Sequence, residues 1–175
     1  LRRQRQMCIR DRKNANLQRY AEAFSFLQSK KLYTVDDLET TLHAMQDKID
    51  TLKKSASSKQ ARIKEVDELL RMVDYYKSGK PAADKLKSIR FEKSRQKYES
   101  EHDNELRTFY MAERKLKPYF KDGKLPITAW RKERAQLEQE YRDIQSELSP
   151  LHADAKKLWA IHYNIYEGQH AVSYT

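Results

Sequence analysis

Cysteine, glycine and proline are scarce in this chain of 175 residues, which contains one Cys, three Gly and four Pro. A single cysteine cannot form an intramolecular disulfide, and it leaves no set of thiolates for a zinc site. Three glycines could scarcely supply a glycine-rich loop that cradles phosphate. The composition therefore excludes disulfide-stapled folds and argues against nucleotide-binding loops.

Long apolar runs are also missing. No stretch approaches the roughly 18 apolar residues that a membrane-spanning helix needs, and no apolar signal-peptide region precedes the body of the chain. Charged residues make up 35% of the sequence and the mean hydropathy is −1.02. We therefore expect a soluble, intracellular, elongated helical protein rather than one with a thick globular core.

The sole cysteine lies in the segment RQMCIRDR at residues 5–12. Residues 7–11 can be back-translated as ATG TGT ATA AGA GAC, which resembles the mosaic-end sequence of a common transposase-based library adapter. We interpret residues 1–12 as a disordered, adapter-derived segment joined to a truncated gene, and we exclude them from the fold argument. The alternative is a basic, disordered native arm.

Positive charge is concentrated in one short part of the chain. The formal net charge is +10, and residues 1–12 supply four of these charges, whereas residues 13–76 and 98–175 are each nearly neutral. Residues 77–97, here called the basic segment, carry eight basic and two acidic residues. The eight are Lys77, Lys80, Lys85, Lys87, Arg90, Lys93, Arg95 and Lys97.

Residue patterns for catalysis or metal binding are not found. The five histidines are scattered, without the two- to four-residue spacing that a His pair on a metal usually has, and no Ser/His/Asp or Cys/His arrangement can be argued from spacing. Acidic residues four positions from a lysine, such as Glu101 after Lys97, indicate ordinary surface pairing on a helix. We predict no catalytic residues, no metal site and no cofactor.

Hydrophobic periodicity is the strongest signal. Two sets of apolar residues recur at alternating steps of three and four, and each predicts a long helix of a coiled coil. The first seam comprises Val35, Leu38, Leu42, Met45, Ile49, Leu52, Ala56, Lys59, Ile63, Val66, Leu70 and Val73. The second comprises Ile127, Trp130, Arg134, Leu137, Tyr141, Ile144, Leu148, Leu151, Ala155, Leu158, His162 and Ile165.

Local signals place the ends of these helices. Thr34 with Asp37 predicts a capped start, and Ser78 to Pro81 predicts a stop. Pro150 lies inside the second seam without breaking its phase, which predicts a kink rather than a loop. Since the seams are nearly equal in length, we predict that they pack against each other, with a homodimer through either seam as the alternative.

The predicted fold class is all-α: a long antiparallel coiled-coil helical hairpin with a short N-terminal helix and a small helical tip insertion. The predicted segments after residue 12 are a short helix and turn at 13–33, a first arm at 34–78, a basic, aromatic-rich tip at 79–126, a second arm at 127–167 and a tail at 168–175. Within the tip we expect helices at 81–90 and 95–121, with most of the aromatic rings in the tip's own core. Leu17, Tyr20, Ala21, Phe24 and Leu27 are expected to share the packed face of the N-terminal helix.

Basic residues interleaved with aromatics favour nucleic-acid binding, because phosphates attract Lys and Arg while bases stack on exposed rings. We therefore predict electrostatic, largely sequence-independent contact of DNA or RNA with the basic segment. The alternative is an ordinary solvated face.

Several stretches, taken in order, resemble a known family. They are NLQRYAEAFSFLQSKKLYTVDDLE, the first seam, YYKSGKP, RQKYESEHDNELRTFYMAERKLK and GKLPITAWRKERAQLEQEY. This order is similar to the helical region found C-terminal to the nuclease domain in relaxases, the mobilization nucleases of bacterial conjugative plasmids and transposons. The resemblance covers most of residues 14–167 and rests on order and spacing more than on one diagnostic motif.

The resemblance implies an accessory role. In that family an N-terminal domain nicks one DNA strand with a Tyr nucleophile and a metal held by a His-hydrophobic-His cluster, and neither feature can be placed on this chain. What remains implies a non-catalytic region of the bacterial cytoplasm that contacts DNA or conjugative-transfer proteins in the relaxosome. The competing hypothesis is a free-standing coiled-coil scaffold without a nucleic-acid role.

Overall fold

The computed structural model describes the backbone of residues 2–121 and 123–172 and the side chains of residues 15–121 and 123–167. Its elements are α1 (Arg2–Ser29), α2 (Val35–Ser88), α3 (Glu92–Glu101), α4 (Asp103–Leu116), a 3₁₀ turn (Lys117–Tyr119) and α5 (Ile127–Val172). An antiparallel bridge joins Lys121 to Lys124, and no strand occurs within the described residues. The predicted all-α class is confirmed.

The chain divides into two compact units. The first unit comprises Leu1–Lys53 and Ser146–Thr175, and the second comprises Lys54–Gln145. In the first unit the polar contacts between α2 and α5 include the hydrogen bond of Glu39 with His162 and the ion pair of Lys48 with Glu147. In the second they include Lys59 with Glu140 and Arg62 with Glu133. Since the α5 partner number falls as the α2 number rises, α2 packs antiparallel against α5 within each unit, as predicted.

The two seams form the apolar contact between α2 and α5. In the first unit Leu38, Leu42 and Leu158 are each at most 2% exposed and share one cluster. In the second unit Val66 and Val73 pack in a cluster with Trp130. Burial of each large side chain contributes about 1.5–3 kcal/mol, so these clusters hold α2 and α5 together.

The predicted start of α2 is confirmed. The hydroxyl Oγ1 of Thr34 accepts a hydrogen bond from the Asp37 backbone N–H at 3.1 Å. In return, Asp37 Oδ2 accepts one from the Thr34 backbone N–H at 3.2 Å. This reciprocal cap satisfies two backbone donors that would otherwise lack a partner at the helix start.

The predicted stop between Ser78 and Pro81 is wrong, because α2 continues through Pro81 to Ser88. A proline inside a helix removes one backbone hydrogen bond and costs about 3 kcal/mol. The turns that follow bury Ala82, Ala83 and Leu86 against Leu106 and Phe109 of α4. This packing outweighs the local signal, and the helix expected separately at 81–90 is the last part of α2.

Gly79 lets α2 and α4 approach each other closely. A Cβ at Gly79 would lie 2.6 Å from the Cβ of Phe109 and 3.0 Å from the backbone oxygen of Glu105. Real Cβ atoms do not tolerate such distances, so a side chain here would push the α4 backbone away. The glycine that suggested a helix stop therefore serves packing instead.

The helix predicted at 95–121 is two helices. α3 ends at Glu101 and α4 begins at Asp103, with His102 between them at φ −115° and ψ 21°. The His102 ring packs on Tyr98 with 4.2 Å between ring centroids. The break turns α4 so that Leu106, Phe109, Ala112 and Leu116 are buried, whereas α3 buries no side chain.

The packed face of α1 differs from the prediction. Phe26 and Leu27 pack on the first unit's apolar cluster, but Leu17, Tyr20 and Phe24 are 71%, 69% and 63% exposed. The turn after α1 fixes this rotation, because Lys31 adopts φ 57° and the Leu32 N–H donates to the Leu27 carbonyl at 3.0 Å. A mixed side of α1 therefore lines an open groove against α5. That side comprises the polar residues Gln18, Arg19, Glu22, Ser25 and Ser29 and the apolar residues Ala21, Ala23 and Phe26.

The ends of the chain depart from the predicted segments. α1 begins at Arg2 rather than near residue 14, and α5 runs unbroken through Pro150 to Val172 rather than ending at residue 167. The side chains of residues 1–14 and 168–175 lie outside the described residues. The backbone of residues 2–12 is helical rather than disordered, and the backbone of residues 168–172 continues α5 rather than forming a separate tail. The origin of residues 1–12 in an adapter stays a prediction.

Gly79→Ala should lower the free energy of unfolding, although alanine is the better helix former by about 1 kcal/mol. We expect a net loss of about 1–3 kcal/mol from overpacking, measured by urea unfolding followed by circular dichroism. Ser78→Ala, on the exposed side of the same turn, is the control and should change stability by less than about 0.5 kcal/mol. A stabilised Gly79→Ala protein would contradict the close approach of α2 and α4.

Candidate nucleic-acid interface

The eight basic side chains predicted as a site lie in the second unit. Four stand on the last turns of α2, Arg90 lies in the link that follows, and three stand on α3, and all eight are exposed. The end of α2 is fixed by the cluster of Ala82, Ala83 and Leu86 with α4. A packed helix end therefore presents half of these eight basic residues.

The lysines near the end of α2 occupy two flanks of the helix rather than one row. Lys80 and Lys87, seven residues apart, share a helical face, and the Lys80 ammonium lies 5.9 Å from the centroid of the Tyr76 ring. Lys85 lies on the opposite flank, with its ammonium 5.1 Å from the centroid of the Tyr98 ring of α3. The structure thus brings Lys85 to α3 and leaves Lys80 and Lys87 on the other side.

Most of the positive charge in the basic segment has no acidic partner. Lys97 pairs with Glu101 at 3.9 Å, and contact with a tyrosine ring does not neutralise Lys80 or Lys85. The other five form no ion pair within the described part of the chain. They are Lys77, Lys87, Arg90, Lys93 and Arg95.

The polar residues of the two seams, unlike most basic residues of the basic segment, have acidic partners. Each of the three contacts a carboxylate between α2 and α5: Lys59 and Arg134 form ion pairs with Glu140 and Asp67, and His162 lies within hydrogen-bond distance of Glu39 at 2.9 Å. Exposed pairs of this kind are each worth about 0–1 kcal/mol. These pairs lie at the seams and do not include every basic residue of the arms. The arms are balanced in net charge, since residues 13–76 and 98–175 are each nearly neutral, whereas the basic segment is not.

Ion pairing also shifts the pKa of two carboxyl groups in the second unit. The hydrogen bond from Lys59, assisted by Gln136, lowers the pKa of Glu140. The hydrogen bond from Lys115 likewise lowers the pKa of Glu68. The pKa of Arg62 is raised by its hydrogen bonds to Glu133 and Glu65, so this guanidinium stays charged at every pH at which the protein folds.

Lowered pKa values make the protein less stable in acid. Folding is favoured by these two carboxylates at pH above their ordinary pKa of about 4.3, and this contribution is lost as the pH falls through the lowered values. Urea unfolding between about pH 6 and pH 3 should therefore lose less stability in a Glu68→Gln, Glu140→Gln double variant. Glu99→Gln, on the surface of α3, should keep the wild-type acid dependence, and equal acid sensitivity in the double variant would count against the ion pairs.

Acidic residues mark the C-terminal boundary of the basic segment. Four of them, Glu99, Glu101, Asp103 and Glu105, follow it directly. Three are engaged locally, since Glu101 pairs with Lys97, Asp103 lies 3.7 Å from Arg107, and Glu105 lies 3.3 Å from the His102 ring nitrogen. An anion is therefore attracted to the end of α2 and the start of α3 rather than to α4.

The aromatic rings around the tip divide into buried and exposed sets. Phe109 is 2% exposed, and Tyr76, Tyr98 and Phe120 are half-buried. Four others are exposed, namely Tyr75 at 37%, Tyr110 at 40%, Tyr119 at 42% and Phe91 at 79%. The prediction that most of these rings form the tip's core is therefore right for only half of them.

Sequence reasoning missed two features beside the basic segment. One is the exposure of Phe91 in the link between α2 and α3. Its position between Arg90 and Lys93 in the sequence was a signal that could have predicted this exposure. The other is an open groove in the second unit with a volume of about 680 Å³. It is lined by Tyr76, Tyr110, Glu113, Arg114, Lys117 and Phe120, and no local pattern predicts that these meet.

Within the described residues, no three His, Cys, Asp or Glu side chains are grouped so that they could hold a metal ion. Among the described helices, none combines the length and apolar character that crossing a membrane requires.

Comparison of the chain with protein-family models, with curated proteins and with solved structures finds no match. The candidate interface therefore rests on its own geometry and charge.

Proposed function

We propose that this chain is a non-catalytic helical region that contacts nucleic acid through the basic segment. The observation that carries the proposal is the contrast in net charge. Residues 13–76 and 98–175 are each nearly neutral, whereas residues 77–97 carry eight basic and two acidic residues. Five of the eight, all exposed, have no acidic partner in the described part of the chain. Uncompensated positive charge on a fixed helix end attracts a polyanion.

The expected contact is with phosphates rather than with base edges in a duplex groove. The basic side chains are long and exposed, and contact with phosphate oxygens carries no direct sequence information. Binding would release counterions, so affinity should fall steeply as salt rises. This favours largely sequence-independent binding of DNA.

The resemblance to relaxases supports a role in conjugation. We propose that the chain is the accessory helical part of a relaxase, C-terminal to a DNA-nicking nuclease domain. In that role it would hold DNA near the transfer origin, or conjugative-transfer proteins, in the relaxosome of a mobilised plasmid or transposon. The support for this assignment is the order of sequence stretches, and the uncompensated charge supports its DNA-contacting part.

A scaffold without a nucleic-acid role is the second candidate. It is favoured by α1, where Leu17, Tyr20 and Phe24 are more than 60% exposed at spacings of three and four. Such an apolar stripe is typical of helices that associate with another helix. A scaffold or homodimer would self-associate as the protein concentration rises, and added salt would not reverse this association. Sedimentation velocity at several protein and salt concentrations measures it.

Charge reversal tests the DNA contact. A variant carrying Lys77→Glu, Lys87→Glu, Lys93→Glu and Arg95→Glu changes four side chains without a described acidic partner, so the fold should be retained. Fluorescence anisotropy with a labelled oligonucleotide should show at least a tenfold loss of affinity. For the wild type, the log–log slope against salt should be about −0.7 to −0.9 per phosphate contacted.

A matched control separates local from global charge. Lys53, Lys54, Lys64 and Lys132 are exposed lysines outside the basic segment, and reversing all four changes the net charge by the same amount. The control should bind nearly as well as the wild type. Equal losses in both variants would mean that only total charge matters and would contradict a defined interface.

The relaxase assignment has an independent test. Sequencing the native DNA upstream of the codon for Lys13 should reveal an in-frame nuclease domain with an N-terminal Tyr and a His-hydrophobic-His cluster. A native start codon encoding residues 5–12 with no reading frame before it would contradict the assignment. That outcome would leave the DNA contact to be judged by the anisotropy measurements.

A further inference from the structure

Phe91 occupies a position where folding alone would favour another residue. It precedes α3 as the N-cap residue, with φ −88° and ψ 124°, and makes no side-chain cap. Ser, Thr, Asp or Asn at such a position typically stabilises a helix by about 1 kcal/mol. The ring is also 79% exposed, so it contributes little of the roughly 1.5–3 kcal/mol that a buried Phe would give.

The charged residues near Phe91 in sequence are mostly basic, with Glu92, which accepts a hydrogen bond from Gln96, as the acidic exception. Lys87, Arg90, Lys93 and Arg95 lie within four residues of it in sequence, and all four are exposed and free of ion pairs with described residues. An exposed ring among cations matches the combination with which proteins hold single-stranded nucleic acid: charge follows the backbone, and the aromatic face stacks on a base.

A second aromatic surface lies on the Lys80 side of α2. Lys80 approaches the Tyr76 ring, and Tyr76, Tyr110 and Phe120 line the open groove together with Arg114 and Lys117. Lys87 shares the helical face of Lys80 two turns closer to Phe91. Basic side chains thus continue along α2 between the two aromatic surfaces.

From these observations we infer that the ligand of the basic segment is single-stranded nucleic acid. Phe91 stacks on one base, and the open groove lined by Tyr76, Tyr110 and Phe120 accepts another. This inference rests on the proposed function and specifies its substrate class. In a duplex the bases are already stacked on each other, so an aromatic ring gains little from them. A lipid surface would explain Phe91 and the cations, but it would not enter a groove walled by half-buried rings.

Replacing the Phe91 ring tests the inference. Phe91→Ala should weaken binding of a labelled single-stranded oligonucleotide about 5- to 150-fold, the range expected for one stacked base. Binding to a duplex of the same sequence should stay within about twofold. The salt slope should be unchanged, because Phe91 contacts no phosphate.

Two further variants separate stacking from apolar contact. Phe91→Trp should restore single-strand binding, whereas Phe91→Leu, which keeps apolar bulk without a π face, should not. Tyr110→Ala should weaken single-strand binding independently, and circular dichroism should show the same helicity in all variants.

The other outcomes overturn the inference in distinguishable ways. One outcome is that Phe91→Ala leaves the affinities for single-stranded and for duplex DNA unchanged while charge reversal abolishes binding of both. In that case single-strand stacking is wrong and the DNA contact stands. If Phe91→Ala weakens only binding to vesicles containing phosphatidylserine, the ring is a membrane anchor and the inference is wrong. If the wild type binds no nucleic acid at low salt, both the inference and the proposed function are wrong.

Discussion

The apolar seam between α2 and α5 is the contact on which the rest of the protein depends. With 35% charged residues, the chain offers few apolar side chains for a core, and within the described residues two of the three buried apolar clusters include members of this seam. Leu42 and Leu158 in the first unit and Val66 with Trp130 in the second are the buried members that tie the helices together. Ion pairs flank the seam and add little stability individually, but they remove net charge from it. The positive charge left uncompensated is then concentrated where α2 leaves the seam and packs against α4.

The packing of α2 against α4 links fold to function. α2 extends through Pro81 because Ala82, Ala83 and Leu86 are buried against Leu106 and Phe109, and Gly79 permits the close approach. A helix that ended at Ser78 would leave Lys80, Lys85 and Lys87 on an unpacked segment, where fixing them on a ligand would cost conformational entropy. The extended helix presents these cations on a fixed surface. The link that carries the exposed Phe91 comes directly after this helix in the chain.

Periodicity predicted the features that depend on long, regular patterns, and it failed where a single tertiary contact decided the outcome. The α2 and α5 seams, the Thr34 cap and the start of α5 at Ile127 were predictable, because each depends on residues close in sequence. The continuation through Pro81 was not, since the partner surface on α4 lies more than twenty residues away in the chain. The division at His102 was missed for the same reason, because it serves the packing of α4 on α2. The rotation of α1 was missed because the turn that fixes it has a lysine, Lys31, at positive φ, where glycine is the usual signal. The eight basic residues could be named from composition, but the exposure of Phe91 and the meeting of Tyr76 with Tyr110 and Arg114 needed the folded chain.

Lysine footprinting tests the central claim, that the basic segment is the nucleic-acid interface, most directly. The full chain would be acetylated at low salt with and without a saturating single-stranded oligonucleotide, and the modification of each lysine would be quantified by mass spectrometry. The account predicts protection of Lys77, Lys80, Lys85, Lys87, Lys93 and Lys97, with Lys53, Lys54, Lys64 and Lys132 as reactive as in the free protein. Uniform protection of all lysines, or protection confined to residues outside 77–97, would contradict it.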